Sequence, residues 1–350
     1  VYDGGRPLEE VARELRLPSA DLIKLASNEN PLGPSPKAIA AMRDKAAQVH
    51  LYPDGNAFYL RQRVAEKLGA APANLIFGNG SNEIIEFVSR ALLGPNTNIV
   101  VSQYCFAIYP IAAHLAGANC ISVPAKDFGH DLAAMRVAIT PETRIVFVAN
   151  PNNPTGVYLG LEEIEPLAEA AAACGALLVI DEAYLSFVND SWDSMGLPAL
   201  DNVVLLRSMT KDYALTGLRL GYAIASENVI ANLQAFQPDW SVNGLAQAAG
   251  LAALADTEYL PRARQAVDQA KSLLSDRLDR LSLTVHPSAA NFLLVKVGDA
   301  SVWHDKLMRL GLFVRDCTSF GLPEHIRIGI RSMADCQRLI EAMETVSFQV

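Results

Sequence analysis

The chain predicts an α/β protein: a large, mainly parallel sheet covered by helices on both faces, joined to a smaller α+β domain. Three observations carry this. Short apolar runs with few charges alternate with segments of helical apolar spacing between residues 75 and 206, the pattern of strand–helix–strand units in a parallel sheet. Most of those runs are closely followed by Gly, Asn, Asp or Ser, as strands that end in turns should be. Beyond about residue 240 the rhythm changes to one long, charge-rich helical segment and then to interspersed strands and helices. At 350 residues the chain is long enough for one large domain and a smaller one.

Taken in order, Leu75-Ile-Phe, Ile99-Val-Val, Arg144-Ile-Val-Phe-Val, Ala176-Leu-Leu-Val-Ile and Val203-Val-Leu-Leu read as strands. Glu83 to Leu93, Ile108 to Leu115 and Leu161 to Ala173 read as helices between them. In the second region, Ala263 to Leu281 forms a long amphipathic helix, followed by a strand at Asn291-Phe-Leu-Leu-Val-Lys-Val and a helix around Val302 to Leu310. A strand near Phe313, another at His325 to Ile330 and a closing helix from Ala334 complete it. The expected division is an N-terminal arm over 1–35 that packs with the small domain, a large domain over 36–240 and a small C-terminal domain over 241–350. There is no internal repeat and no low-complexity linker, so the two domains are expected to pack intimately.

Composition narrows the function classes. The chain is 51% hydrophobic and 19% charged, the profile of an ordinary soluble globular protein. No stretch approaches the roughly 18 uninterrupted apolar residues of a membrane-spanning helix. The first residues lack the apolar core of a signal peptide, and the opening on Val rather than Met suggests that a short N-terminal piece is missing. A net charge of -9, with no basic stripe bearing interleaved aromatics, argues against a nucleic-acid partner. It leaves room for an anionic substrate, because a pocket can hold a few arginines inside an acidic protein. The cysteines at 105, 120, 174, 317 and 336 are scattered, odd in number and never at C-x-x-C spacing. They read as buried or incidental thiols of a reducing cytoplasm, not as a disulfide frame, and no metal site is expected.

Ligands of such sheets bind at the carboxyl ends of the strands, and the polar motifs fall there. The run Arg207-Ser-Met-Thr-Lys-Asp-Tyr-Ala-Leu-Thr-Gly-Leu-Arg219-Leu-Gly-Tyr222 follows an apolar segment. Ser208 stands three residues before Lys211 and Arg219 eight after it. A lysine meant for a phosphorylated aldehyde would be presented this way, its amine forming a Schiff base while the hydroxyl and guanidinium hold the phosphate. A solvated surface lysine is the ordinary alternative.

Val179-Ile-Asp181-Glu-Ala-Tyr184 puts a carboxylate at the end of a buried strand. Asp181 there caps the next segment, binds a ribose or magnesium, or pairs with a pyridinium nitrogen. Asn150-Pro-Asn-Asn153-Pro-Thr-Gly156 is either a plain turn or a rigid mount for Asn153, whose amide suits a cofactor's phenolate oxygen. Phe77-Gly78-Asn-Gly-Ser81-Asn-Glu83 exposes backbone N–H groups at a helix N-terminus, an anion site, or is simply capped by Ser81 or Asn82. It matches neither the dinucleotide nor the P-loop fingerprint.

Together these segments resemble the aspartate-aminotransferase-type (fold type I) enzymes dependent on pyridoxal phosphate, over nearly the whole chain and in family order. The resemblance implies pyridoxal 5'-phosphate as cofactor, with residues 36–240 as the domain that binds it. It implies Lys211 as the Schiff-base lysine and Asp181 as partner of the pyridine nitrogen. Tyr184 and Asn153 become the phenolate partners, and Ser208, Arg219, Ser81 and Asn82 the phosphate cradle. Phe106 becomes the aromatic that stacks on the ring. Core packing is the alternative for Phe106, and helix packing is the alternative for Tyr109.

The N-terminal half resembles the histidinol-phosphate aminotransferases in Tyr2-Asp-Gly-Gly-Arg-Pro, Lys24-Leu-Ala-Ser-Asn-Glu-Asn-Pro-Leu-Gly33 and Leu51-Tyr-Pro-Asp-Gly55. That resemblance implies a homodimer with shared active sites, in which Tyr52 reaches the cofactor phosphate of the neighbouring subunit. It puts Tyr2, Asn30, Arg315 and Arg327 on the substrate side, where a guanidinium fork suits phosphate or carboxylate. The small-molecule partners would be a phosphorylated amine and a 2-oxo acid. The stretch Val314-Arg-Asp-Cys-Thr-Ser-Phe-Gly-Leu-Pro323 and Ile326-Arg-Ile-Gly-Ile-Arg331 is similar to threonine-phosphate decarboxylase of cobalamin synthesis, with Arg331 either holding a second carboxylate or pairing with a surface acid. The expectation is transamination of histidinol phosphate with 2-oxoglutarate in histidine biosynthesis. The alternatives are that decarboxylation, an aminotransferase for another amino acid such as an aromatic one, or a non-catalytic protein on the same fold. The last would have lost the lysine or gained a helix-turn-helix, and neither is seen.

Overall fold

The computed structural model describes residues 7–18 and 21–347. Tyr2 lies outside the described residues. The strands in chain order are β1 (Ile23–Lys24), β2 (Leu75–Asn79), β3 (Asn98–Ser102), β4 (Asn119–Val123), β5 (Thr143–Ala149), β6 (Leu177–Asp181), β7 (Val203–Ser208), β8 (Leu220–Ile224), β9 (Thr284–His286), β10 (Phe292–Lys296), β11 (Leu312–Phe313), β12 (Arg315–Asp316) and β13 (His325–Gly329). The helices are α1 (Leu8–Leu15), α2 (Pro36–Ala46), α3 (Phe58–Leu68), α4 (Ser81–Leu92), α5 (Ile108–Leu115), α6 (Leu132–Val137), α7 (Leu161–Ala173), α8 (Glu227–Gln234), α9 (Gly244–Leu254), α10 (Tyr259–Arg280), α11 (Ala300–Arg309) and α12 (Met333–Ser347).

Seven strands form the large sheet in the order β2-β8-β7-β6-β5-β3-β4. The pairs from β7 to β4 are parallel, and only β8 runs antiparallel to its neighbours β2 and β7. Alternate side chains go to opposite faces, as the pleat requires. Val146, Val148, Leu178, Ile180 and Leu205 join the core beneath α2, α3, α6, α7 and α9. Ile145, Phe147, Val179, Val204 and Leu206 join the one beneath α4, α5 and α8. Burial on both faces is why these strands read as continuous apolar runs rather than alternating ones.

The small sheet is antiparallel, in the order β12-β13-β10-β9, and packs on α10, α11 and α12. The N-terminal arm joins this unit directly: β1 pairs with β11 in parallel, and the Gly329 N–H donates to the Leu25 carbonyl at 2.7 Å. Packing moves the expected division at residue 241. Helix α9 and the first turns of α10, at Tyr259 and Ala263, lie in the large-sheet core, whereas Val267, Ala270, Leu274 and Leu278 further along α10 lie in the small one. The change from one unit to the other therefore falls inside a continuous helix.

Strand β8 sets the height of the ligand-side loops. Its Gly221 faces Gly78 across the ladder, and a Cβ there would run into the backbone nitrogen of Ser81. Helix α4 thus rests its first turn directly on bare backbone. Gly221→Ala is expected to destabilise the ligand-free protein by about 1–3 kcal/mol, the usual cost of forcing atoms into a packed interior, read as a lower midpoint of urea denaturation.

Candidate active site

Loops at the carboxyl ends of β5, β6 and β7 meet the first turn of α4, the N-terminal arm and the small sheet around a cavity of about 1030 Å³. Its floor is set by Asp181, the last residue of β6, which is buried. Oδ2 accepts the Tyr109 hydroxyl at 2.8 Å and Oδ1 accepts the Ala183 N–H at 3.1 Å. Burial raises the proton affinity of this carboxyl, and the two hydrogen bonds work against that rise.

Lys211 follows β7. Its Nζ donates to the Ser27 carbonyl at 3.0 Å. Burial first, and then the positive charge of Arg327, lower its pKa to about 8, with Glu29 acting in the opposite sense. At pH 7 about a tenth of such an amine is neutral, against well under a thousandth for an unperturbed lysine. The chain around it is fixed from behind. Asn30 donates its amide to the carbonyls of Lys211 and Asp212, at 3.3 and 2.9 Å, and Ser186 Oγ donates to Asp212 Oδ2 at 2.9 Å.

Groups able to hold an anion gather at one part of the cavity. Helix α4 starts at Gly80, which holds φ +80° and offers no capping side chain. The alternative that Ser81 or Asn82 simply caps this helix does not hold: both lie inside its first turn. Glu83 instead accepts the Asn79 N–H at 2.7 Å, and Asn82 donates to Glu86 at 2.9 Å. The first-turn N–H groups of a helix have no intrahelical acceptor and carry partial positive charge. Ser81, Asn82, Ser208 and Arg219 all line the cavity here, and the Arg219 guanidinium fills the space a Cβ on Gly80 would occupy.

Asn153 and Tyr184 reach the cavity from the loops after β5 and β6. The Tyr184 hydroxyl accepts the Asn28 amide at 3.0 Å. Asn153 Oδ1 accepts from Arg327 Nη1, which orients its amide NH₂ away from that guanidinium. Phe106 lies on the wall, with its ring edge-to-face on Tyr109 at 5.7 Å and 86°.

The small sheet contributes two guanidinium groups. Arg315 on β12 and Arg327 on β13 are direct cross-strand partners, so the pleat projects them to the same side. Both sit over the Phe320 ring, at 5.6 and 5.9 Å. Arg327 is buried, with Nη2 donating to the Ala26 carbonyl at 2.7 Å. Lys24 and Glu29 line the same end and pair at 2.8 Å. Arg331 stands off the wall, 3.8 Å from Glu29, so it pairs with an acid at the cavity edge.

The cavity thus gathers Lys211, Ser81, Asn82, Phe106, Asn153, Asp181, Tyr184, Ser208, Arg219, Arg315 and Arg327. One expected residue is placed elsewhere, and Tyr52, expected to serve the neighbouring subunit, does not line this cavity. Asn30 is not on the wall, because its amide is taken up by the lysine loop; Asn28, two residues earlier, occupies the wall instead. Tyr52 is 80% exposed, away from this chain's own cavity, with its ring 4.5 Å from Trp240. The sequence motifs do not single out Thr210, whose hydroxyl contacts that of Ser208, and they name helix packing as the alternative for Tyr109 without marking its bond to Asp181. The signals were present: a second asparagine in Ser27-Asn-Glu-Asn30, and a tyrosine three residues after Phe106.

Comparison with known proteins agrees with this geometry. The family model for class I and II aminotransferases matches residues 20–343. Histidinol-phosphate aminotransferase 1 of Thiobacillus denitrificans is 41% identical over 348 residues, covering 99% of this chain and 90% of that protein. The histidinol-phosphate aminotransferase of Akkermansia muciniphila is 43% identical, covering 99% and 96%. Among solved structures, histidinol-phosphate aminotransferase from Sinorhizobium meliloti in complex with pyridoxal-5'-phosphate superposes with a TM-score of 0.91 at 26% identity, covering 100% of this chain and 99% of that one. Aspartate aminotransferase from Thermus thermophilus with maleate gives 0.84 at 27% identity, covering 97% and 95%. With a lysine-centred cavity at the sheet's carboxyl edge and relatives of this similarity along its length, the chain belongs to the class I and II aminotransferase family.

Proposed function

We propose that this aminotransferase moves an amino group between histidinol phosphate and 2-oxoglutarate, using pyridoxal 5'-phosphate, in a cytoplasmic homodimer. The observation that carries the substrate reading is the paired guanidinium groups of Arg315 and Arg327, facing the same cavity as Lys211. Such a pair accepts a phosphate or a carboxylate bidentately, as one site serving both partners must. Relatives 41–43% identical over 99% of the chain, C-terminal stretch included, bear the histidinol-phosphate aminotransferase name, so the decarboxylase alternative is not favoured.

The donor set fits the cofactor: an anion cradle, an oxyanion-facing amide and phenol, and a buried carboxylate stand in one cavity, and Gly80 keeps open the space that Arg219 fills. We assign the phosphate to Ser81, Asn82, Ser208 and Arg219, the phenolate oxygen to Asn153 and Tyr184, the ring nitrogen to Asp181 and one ring face to Phe106. Bound there, pyridoxal 5'-phosphate supplies the carbonyl that takes up the amine and a ring that draws charge from Cα. Lys211 Nζ, with its proton affinity lowered, takes the proton from Cα and returns it on the cofactor side. Arg315 and Arg327 hold the substrate's anionic end. Asn30 keeps the lysine loop in register by fixing the carbonyls of Lys211 and Asp212.

The dimer rests on surface chemistry. Val49, Leu51, Tyr52, Phe58 and Tyr59 are more than half exposed and close together in sequence, and Tyr52 lies beside Trp240, apolar surface of the kind that marks an association site. No described helix is long and apolar enough to cross a membrane.

Glutamate formation from 2-oxoglutarate is expected with histidinol phosphate as donor. Release of CO₂ from threonine phosphate without glutamate would overturn the reading. Lys211→Ala should lower turnover about a thousandfold or more. In the cofactor-free protein, acylation of Lys211 should titrate near pH 8, because only the neutral amine reacts. Arg327→Met should raise that midpoint by removing a neighbouring positive charge. Mixed dimers of Lys211→Ala and Tyr52→Ala subunits should regain activity above the sum of the two parents, since one site of each hybrid would hold both residues intact.

A further inference from the structure

We propose that Tyr109 is a positioning residue for the reaction: its hydroxyl holds Asp181 ionised and aimed at the ring nitrogen, while its ring braces Phe106. The inference rests on the site assignment above, in which Asp181 faces the cofactor's ring nitrogen.

Tyr109 is the second residue of α5 and is fully buried. Its ring lies parallel to Phe147 of β5 at 4.5 Å and 2°, so the phenol has one direction in which to point, toward Asp181 Oδ2 at 2.8 Å. Asp181 is buried at this position, and burial raises its proton affinity. Among the described residues its hydrogen-bond donors are the Tyr109 hydroxyl and the Ala183 N–H. The backbone donor orients one oxygen and the phenol the other, which leaves the carboxylate plane little freedom.

The remaining titratable neighbours do not replace Tyr109. Glu182 repels the charge, although its own carboxylate is tied to Arg207 at 2.9 Å. Tyr184 and Cys105 lie near the phenol, and burial pushes the Cys105 thiol up to about 12, so it stays neutral. Burial together with the adjacent Asp181 charge pushes the Tyr109 phenol well above its ordinary value. It therefore remains a donor throughout the range in which an enzyme works. Had the packing alone been required, a phenylalanine would fill the same space without the burden of a buried hydroxyl.

The edge-to-face contact at 5.7 Å with Phe106 gives Tyr109 a second role. One side chain thus sets both the ring's face and the acid at its edge. Such a contact fixes orientation more than it adds affinity.

The test is Tyr109→Phe, which keeps both ring contacts and removes only the hydroxyl. Three quantities are measured in the wild type and in the variant: pyridoxal 5'-phosphate affinity by fluorescence quenching of the cofactor-free protein, the pH midpoint of the bound cofactor's visible absorption, and the melting temperature of the cofactor-free protein. Loss of one hydrogen bond to a charged group should weaken affinity about tenfold or more. The midpoint should rise by about half a unit or more, because a less ionised Asp181 sustains less positive charge on the ring. In an Asp181→Asn background the same substitution should change affinity less than about threefold.

An equal loss in both backgrounds, or an unshifted midpoint, would overturn the proposal. If the wild type itself fails to bind the cofactor, the site assignment falls instead. Should Tyr109→Phe not fold, 3-fluorotyrosine at position 109 keeps the shape and strengthens the donor. It should move the midpoint down, and no movement would count against the proposal.

Discussion

Asp181 is a carboxylate taken out of water at the end of a central strand, and the site is organised around keeping it there. Strand β6 is flanked by β5 and β7 and covered by helices on both faces, so its last residue is buried where it meets the cavity. A charge in such a place must find dipoles or a counter-charge. The backbone of the next turn supplies one dipole and α5 supplies another. The ligand the site is built for would supply the counter-charge. Lys211 shows the complementary case, an amine whose charge is made unfavourable by burial and by guanidinium neighbours. Placing a reluctant cation and an acid retained against desolvation on either side of one cavity is how a protein prepares for charge that moves between them.

The small unit is tied to the large one by specific groups rather than by surface area alone. Arg327 belongs to the antiparallel sheet, yet it bonds to Asn153 of the large unit and to Ala26 of the arm. Removing it would free an amide on one side and a carbonyl on the other. The arm is also a structural strip, adding β1 beside β11 and carrying Asn28 to Tyr184 and Asn30 to the lysine loop. A short segment outside the main sheet thereby touches three parts of the site.

Much of this was legible in the sequence because a sheet buried on both faces writes itself as apolar runs, and because polar residues at strand ends stand out against them. Asp181, Asn153, Lys211 and Arg219 could be found that way. Strands β4 and β8 could not: β4 is a largely exposed edge with polar side chains, and β8 is interrupted by Gly221, whose absent side chain matters only to α4. Helix α9, in Gly-Leu-Ala-Gln-Ala-Ala-Gly, carries little polar contrast between its faces and gave no periodic signal. Asn28 and Asn30 are the same residue type two positions apart, and only the path of the backbone decides which enters the cavity. Tyr109 is equally ambiguous in one dimension, because a buried tyrosine and a buried phenylalanine leave the same apolar trace. Tyr52 was readable as a residue of interest, but its neighbours belong to a surface rather than to this chain's interior.

Helix α10 runs for 22 residues from one core into the other, about 33 Å at the standard rise. It is a shaft shared by two bodies, with no loop at the junction to serve as a pivot. A change in angle between the bodies would bend that shaft and strain the arm that also crosses between them. A bend of about 5° at its middle displaces an end by about 1.4 Å, comparable to the misplacement that costs an enzyme two orders of magnitude in rate. The arginines ride on one body and the lysine on the other. The stiffness of this helix, together with the arm, therefore bears on how closely Arg315 and Arg327 are held relative to Lys211 across the cavity.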